Sequence, residues 1–287
     1  MKLRVLHNTH YHYGEKVRFT PHKVILRPRE DPHTRVHSFS LLTMPGGRTT
    51  WLRDAQENCL ALCYIEGESR QLAIQAEMVV ELLQENPFDF ILGDNAANYP
   101  FEYSEQDRQS LAYPLMRIPD SSRVSSWINE VLGECKGETL SLLTRLCSSV
   151  YQSHTYNRRE EMGIQTPDQT LELKSGSCRD FALLFMAACR ELKLACRFVS
   201  GYLYVPSSGN SSESRSDNSM HAWCEVYLPG AGWKGFDPTH GIMTGDFYIP
   251  VAVTSFPETV NPVQGSYLFP SQVSSTMTAD VSIQKIS

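Results

Sequence analysis

Three things are missing from this chain, and each absence removes a class of function. There is no basic stripe. Lys and Arg number 26 against 32 Asp and Glu, for a net charge of −6, and the cations are interspersed, whereas the phosphates of a nucleic acid need them clustered. Nucleic acid is not expected as a partner. There is no long apolar run of the roughly 20 residues that cross a bilayer. The opening stretch MKLRVLHNTHYHYGEKVRF alternates instead of forming the apolar region of a signal peptide. The expectation is a cytoplasmic chain with no membrane partner. There is also no zinc-like spacing: Cys59 and Cys63, in ENCLALCYI, stand four apart with no His or further Cys following at ligand distance. No metal and no cofactor is expected. The eight cysteines could form four disulfides, but a reducing compartment keeps thiols free, so most of them should be small buried hydrophobes.

What is present is enough apolar sequence for a large core. With 287 residues, 41% of them hydrophobic, two domains are expected. Residues 1–113 alternate polar and apolar in runs such as VRFTPHKVILRP and RQLAIQAEMVVELL, punctuated by Pro, Gly and Asp turns, which predicts a β-rich, sandwich-like domain. Residues 114–137, MRIPDSSRVSSWINEVLGECKG at their centre, form a Pro/Ser-rich linker with a short amphipathic helix. In 138–287 a helix over 138–154 carries Leu140, Leu143, Leu146, Cys147 and Val150 on one stripe. A second helix follows, and then strands to the end. Helices followed by an antiparallel sheet make the fold class α+β. The segment 207–219, SSGNSSESRSDNS, cannot bury apolar surface and reads as an exposed loop, either a tolerated insertion or a lid ending just before His221.

The second helix opens on KSGSCRDFALLFMAACREL. Phe181, Leu184, Phe185, Ala188 and Leu192 keep helical spacing, and Leu183, Met186 and Ala187 make the other faces apolar, so the helix is central. Ser177 and Asp180 fit a capping box. Cys178 then lies in the first turn, where free N–H groups and the helix dipole favour the thiolate, the nucleophilic form, and can bind an oxyanion. Gly176 would let a carbonyl approach the backbone. A buried structural cysteine is the competing reading.

A thiolate needs a base, and the base an orienter. In MHAWCEVYLPGAGWKGFDPTHG, alternation places His221, Trp223, Glu225 and Tyr227 on one strand face. Register decides whether Asp237 reaches His221: a four-residue connection sends its carboxylate to the wrong face, whereas an odd-length connection or a bulge between Tyr227 and Trp233 brings the two together. The odd connection or bulge is the prediction. Taken singly, His221 reads as a satisfied strand histidine and Asp237 as a turn residue before Pro238. His240 reads as a solvated turn residue.

Together, GSCRDFALLFMAACRELKLACRFVSGYL, HAWCEVYLPGAGWKGFDPTHG and YNRREEMGIQTPDQTL resemble the bacterial transglutaminase-like superfamily, whose members are described as candidate cysteine proteases. HNTHYHYGEKVRFTPHKVILRPR resembles the β-rich domain that precedes that core. The resemblance implies a papain-like core, with a central helix bearing the cysteine packed on an antiparallel sheet. It makes Cys178 the nucleophile, His221 the general base and acid, and Asp237 the orienter. A Gly-Arg-Asp segment found in many relatives is missing here, and Tyr248 stands where one subgroup would have His, which leaves the substrate open. Acyl transfer through a thioester is the implied chemistry, on a peptide or protein substrate. Water as acceptor gives a peptidase or amidase and a lysine amine gives a transglutaminase; family analogy favours water. Small-molecule acyl transfer and a non-catalytic peptide-binding scaffold are the other classes. Gln165, Gln169 and Tyr156 are the candidates for a second oxyanion donor, and Asp180 and Trp223 for support of the nucleophile and base. The β domain could orient large substrates or form a homo-oligomer.

Overall fold

A computed structural model describes residues 1–83, 86–134, 136–159, 163–206, 219–269 and 272–286. Most of the segment 207–219 therefore lies outside the described residues, and its role as a lid or insertion with it. The amino-terminal half consists of β1 (Lys2–Phe19), β2 (His22–Val24), β3 (Thr34–Met44), β4 (Gly47–Arg53), β5 (Cys59–Ile65) and β6 (Glu68–Leu82). Their period-2 pattern buries one face: along β6, Leu72, Ile74, Ala76, Met78, Val80 and Leu82 are all inside, as alternation on a half-buried sheet requires. A 3-10 turn and the short β7 (Asn98–Tyr99) follow.

The second half holds α1 (Glu105–Ser110), α2 (Val124–Leu132), β8 (Gly137–Glu138), α3 (Thr139–Ser153), β9 (Thr155–Tyr156), α4 (Pro167–Leu173), β10 (Ser175–Gly176) and α5 (Cys178–Glu191). Then come β11 (Cys196–Leu203), β12 (Ser219–Leu228), β13 (Gly232–Asp237), β14 (Ile242–Met243) and β15 (Tyr248–Thr254), and finally β16 (Val263–Gln264), β17 (Tyr267–Leu268) and β18 (Ser275–Ile286). The antiparallel order β14-β13-β12-β11-β15 forms the sheet on which α5 packs. Phe181, Phe185, Ala188 and Cys189 of α5 are fully buried, and the Cys224 thiol of β12 reaches the Ala182 carbonyl at 3.0 Å.

Two expectations are corrected. The β-rich stretch does not run unbroken to residue 113: Asp107 donates its N–H to Ser104 Oγ at 3.1 Å and caps α1, where EQDRQS offers no apolar alternation to bury in a sheet. The strands after β15 do not extend the second sheet. All of β18 pairs antiparallel with β1, in the same sheet as β17, β6 and β3, while β16 joins β2, β5 and β4. Both amino-terminal sheets thus borrow strands from the other end of the chain, because alternation identifies a strand but not its neighbours. The halves are tied by buried bonds: His7 Nδ1 to the Tyr202 hydroxyl at 2.9 Å, and the Asn58 side chain to both the N–H and the carbonyl of Val253, each at 2.8 Å. Burial pushes the His7 pKa down to about 4, a weaker opposing pull coming from Asp280, so this interface holds a neutral imidazole at pH 7.

Candidate active site

α5 begins where the sequence signals a start. Ser177 is the extended N-cap, and its N–H and Oγ both donate to Asp180 Oδ2, at 2.7 and 2.8 Å. Asp180 is fully buried, yet every approach to it is occupied: Arg159 Nη1 reaches both carboxylate oxygens, at 2.9 and 3.0 Å, and Gln165 donates its N–H to Oδ1 at 2.7 Å. This ion pair ties the helix start to the segment before α4. Cys178 is half-buried at the first helical position, where the N–H groups have no carbonyl partner within the helix. Beside it β10 runs parallel to β9, Gly176 opposite Tyr156. A Cβ on Gly176 would stand 2.8 Å from Asp180 Cβ and 3.2 Å from Gln165 Oε1, so only glycine fits without displacing both.

The base and its carboxylate come from the β12-β13 hairpin. Tyr227 pairs with Trp233 and Leu228 with Gly232, so Pro229, Gly230 and Ala231 form an odd-length connection. Cys224 consequently faces Phe236, which puts Asp237 on the His221 side of the sheet. His221 Nε2 donates to Asp237 Oδ2 at 2.8 Å, with side-chain exposures of only 1% and 0%. The Cys178 thiol is near enough to the imidazole to help raise its pKa. Trp223 stacks against His221, ring centroids 6.3 Å apart at 26°. That stacking needs Gly201 opposite His221 in β11, because a Cβ there would lie 2.2 Å from the Ile249 carbonyl and 2.5 Å from the Trp223 ring. Gly201→Ala is expected to lower stability by about 1–3 kcal/mol through overpacking and to cut turnover by tilting His221; denaturant melts and steady-state rates would check both.

Asp237 serves more than His221. Its Oδ2 also accepts from His240 Nδ1 at 2.7 Å and from the Tyr248 hydroxyl at 2.8 Å, and Oδ1 accepts the Thr239 N–H at 2.8 Å. His240 is therefore in the turn, as expected, but it is not a solvated residue: the backbone N–H groups of His240 and Gly241 both point to the Asp237 carbonyl, and the turn folds the ring back onto the carboxylate. Tyr248 was not legible as a partner, because β15 joins the sheet through β11 rather than beside β13. Of the oxyanion candidates, Tyr156 and Gln165 are brought to Gly176, whereas Gln169 is not: its Oε1 accepts the Thr166 N–H at 2.9 Å in the capping box of α4. His221, Asp237 and His240 form the one group among the described residues whose ligand atoms lie close enough for a metal ion, all within 4.8 Å. Spacings of 2.7 and 2.8 Å onto one oxygen are hydrogen-bond lengths, whereas ligands on a tetrahedral zinc stand roughly 3.3 Å apart; as it stands, the cluster is joined by protons.

The electrostatics follow from that hub. Burial alone would push the Asp237 carboxyl up, but the facing His221 cation, with His240 behind it, holds it well below the usual carboxylate range. Burial opposes the His221 imidazolium, yet the Asp237 charge and hydrogen bond, with the Cys178 contact, raise its pKa from 6.5 to about 10. Burial and the Asp237 charge drive the Tyr248 phenol far above its ordinary value, so it stays a donor. Because the folded value for His221 exceeds the unfolded one, its stabilising contribution is complete below pH 6.5 and is lost as pH rises through about 10. We expect the alkaline limb of kcat/KM to fall near pH 10, read from a pH-rate profile.

Residues 3–81 match the bacterial transglutaminase-like N-terminal region and residues 125–238 the transglutaminase-like superfamily. These two matches take in both halves of the fold, and residues 125–238 are similar to the transglutaminase-like core. Among its relatives is the "Uncharacterized protein Rv2569c" of Mycobacterium tuberculosis, 26% identical over 275 residues, spanning 92% of this chain and 87% of that one. The "Uncharacterized protein YebA" of Bacillus subtilis is 36% identical over 80 residues, 26% of this chain and 11% of that one. Among solved structures, the "Putative Cysteine Protease from Cytophaga hutchinsonii" superposes with a TM-score of 0.73 at 15% identity, covering 100% of this chain and 92% of that one. At that identity the likeness establishes the shared fold.

Proposed function

We propose that the chain is a cysteine peptidase or amidase, with Cys178 as nucleophile, His221 as general base and acid, and Asp237 as its orienter. One observation carries the proposal: a buried imidazole held by the Asp237 carboxylate at 2.8 Å, with the Cys178 thiol among the groups that act on it. The thiolate attacks an amide carbonyl, protonated His221 gives its proton to the leaving amine, and a thioester remains on Cys178. Water, deprotonated by His221, then releases the acid. In this reading the Cys178 N–H at the start of α5 holds the oxyanion, with Gln165 or Tyr156 as the second donor. Asp237 remains ionised throughout, so it steadies the imidazolium instead of taking its proton. Hydrolysis is the reading consistent with the family and with the description of the Cytophaga structure; an amine acceptor would make the same thioester chemistry a transglutaminase.

The test is chemical. Among the described residues Cys59 and Cys178 are the two half-buried thiols, and burial pushes the Cys59 thiol up. Brief iodoacetamide treatment, followed by mass spectrometry, is expected to modify Cys178 first, with amide hydrolysis lost in proportion. Modification of Cys178 no faster than Cys59, or full activity after its alkylation, would overturn the proposal. Running the assay with and without a primary amine separates hydrolysis from amine incorporation.

A further inference from the structure

The donors that meet the Asp237 carboxylate are unevenly shared. Oδ1 accepts the Thr239 N–H, whereas Oδ2 accepts His221 Nε2, His240 Nδ1 and the Tyr248 hydroxyl, all at 2.7–2.8 Å. A carboxylate oxygen offers about two lone pairs, so His240 and Tyr248 draw on the same charge that holds the His221 proton. The titratable groups facing Asp237 are His221 of β12, His240 of the following turn, Tyr248 of β15 and the buried Cys147 thiol of α3, while Cys178 of α5 acts on His221. Tyr248 is the constant donor among them. His240 has 24% of its side chain exposed and can be neutral or a cation; Tyr248 is buried, and burial with the Asp237 charge keeps its phenol protonated. The ring is also held independently of that bond. It stands edge-on to Trp223, centroids 5.3 Å apart at 72°, and Trp223 in turn stacks on His221. Val199, Leu203 and Val253 complete the cluster around the two rings.

We propose that Tyr248 is a positioning residue of the triad: its hydroxyl draws charge from Asp237 Oδ2 and so loosens the hold of His221 on its proton. The proposal rests on His221 serving Cys178 as acid and base. An imidazolium gripped too firmly by its carboxylate is a poor acid toward the leaving amine. A hydrogen bond that stabilises the carboxylate anion lowers its own appetite for a proton and weakens that grip. The phenol does this from the far side of the sheet, since β11 and β12 lie between β15 and β13. Because the ring is fixed by its aromatic neighbours, the hydroxyl can be removed while the packing stays.

Tyr248→Phe makes that change in the full-length protein. The titration of the His221 ring C–H signals is followed by NMR, the signals being assigned by their loss in His221→Gln. Its midpoint should rise by about one pH unit in Tyr248→Phe, the scale of one hydrogen bond to a charge. In the same variant kcat should fall about tenfold, with KM kept within about twofold. 3-Fluorotyrosine installed at position 248 is a stronger donor of nearly the same size, and it should lower the midpoint. An unmoved midpoint or an unchanged kcat in Tyr248→Phe, whatever its melting temperature, would overturn the proposal and leave Tyr248 a packing residue. Midpoints that move the same way in both variants would overturn it too. The titration needs no substrate, so the two readings fail separately. An unmoved midpoint beside hydrolysis that depends on Cys178 removes the role of Tyr248 alone, whereas hydrolysis that persists in Cys178→Ala removes the proposed function and this role with it.

Discussion

Replacing Cys178 with alanine is expected to abolish amide hydrolysis, a loss of about 10⁴–10⁶-fold in kcat as for the removal of other nucleophiles that act as a unit with their base, while the fold barely notices. The side chain is half-buried, and the helix start is secured by Asp180 with Ser177, Gln165 and Arg159 rather than by the thiol. Alanine is also the best helix former. The change in stability should stay within about 1 kcal/mol, a few degrees in Tm for a chain of this size. Scanning calorimetry beside a peptide-cleavage assay separates the two outcomes, and an active Cys178→Ala variant would remove Cys178 from the chemistry altogether.

Asp237→Asn should behave differently, because it touches both function and fold. Without the negative charge His221 loses its main support as an imidazolium, and an amide can hold the wrong tautomer; turnover is expected to fall about 10⁴-fold. The alkaline limb of the residual activity should move down from about pH 10, since removing the carboxylate removes what raised it. The same oxygen also receives His240 and Tyr248, and an amide placed among three donors brings an N–H of its own. Breaking a buried charge pair of this kind costs about 3–5 kcal/mol, so the melting point should drop clearly, unlike that of Cys178→Ala. A variant with near-normal rate and an unmoved limb would reduce Asp237 to a turn residue.

Much of this site was legible in the sequence because its parts depend on short-range rules. The 3.6-residue spacing after Cys178 and the Ser177/Asp180 pair define where α5 starts, and strand alternation puts His221 and Trp223 on one face. The position of Asp237 was legible only as a matter of parity, decided by the three residues between β12 and β13. His240 and Tyr248 were beyond such rules. One reaches Asp237 through a reversed turn, and the other through the order of strands in the sheet, a tertiary choice that no local pattern encodes. The destination of β18 was hidden for the same reason: its alternation suits either sheet, and only the uncovered edge of β1 settles it.

That last pairing also governs how the chain can be assembled. β1 spans residues 2–19 and β18 residues 275–286, so the contact with the greatest sequence separation in the molecule is also one of its longest ladders. Closing it carries the entropy of a loop holding the entire α5 sheet and its helices, and such non-local pairings slow folding. On a ribosome the amino-terminal sheet must wait with one edge of β1 bare until Ser275–Ile286 has been made, and a bare strand edge is a template for other chains. The α5 sheet has its own strands within residues 196–254, so it is complete while the amino-terminal domain still lacks its final strand. In the order of synthesis, the sheet built on β1 closes after the sheet built on β11 and β12.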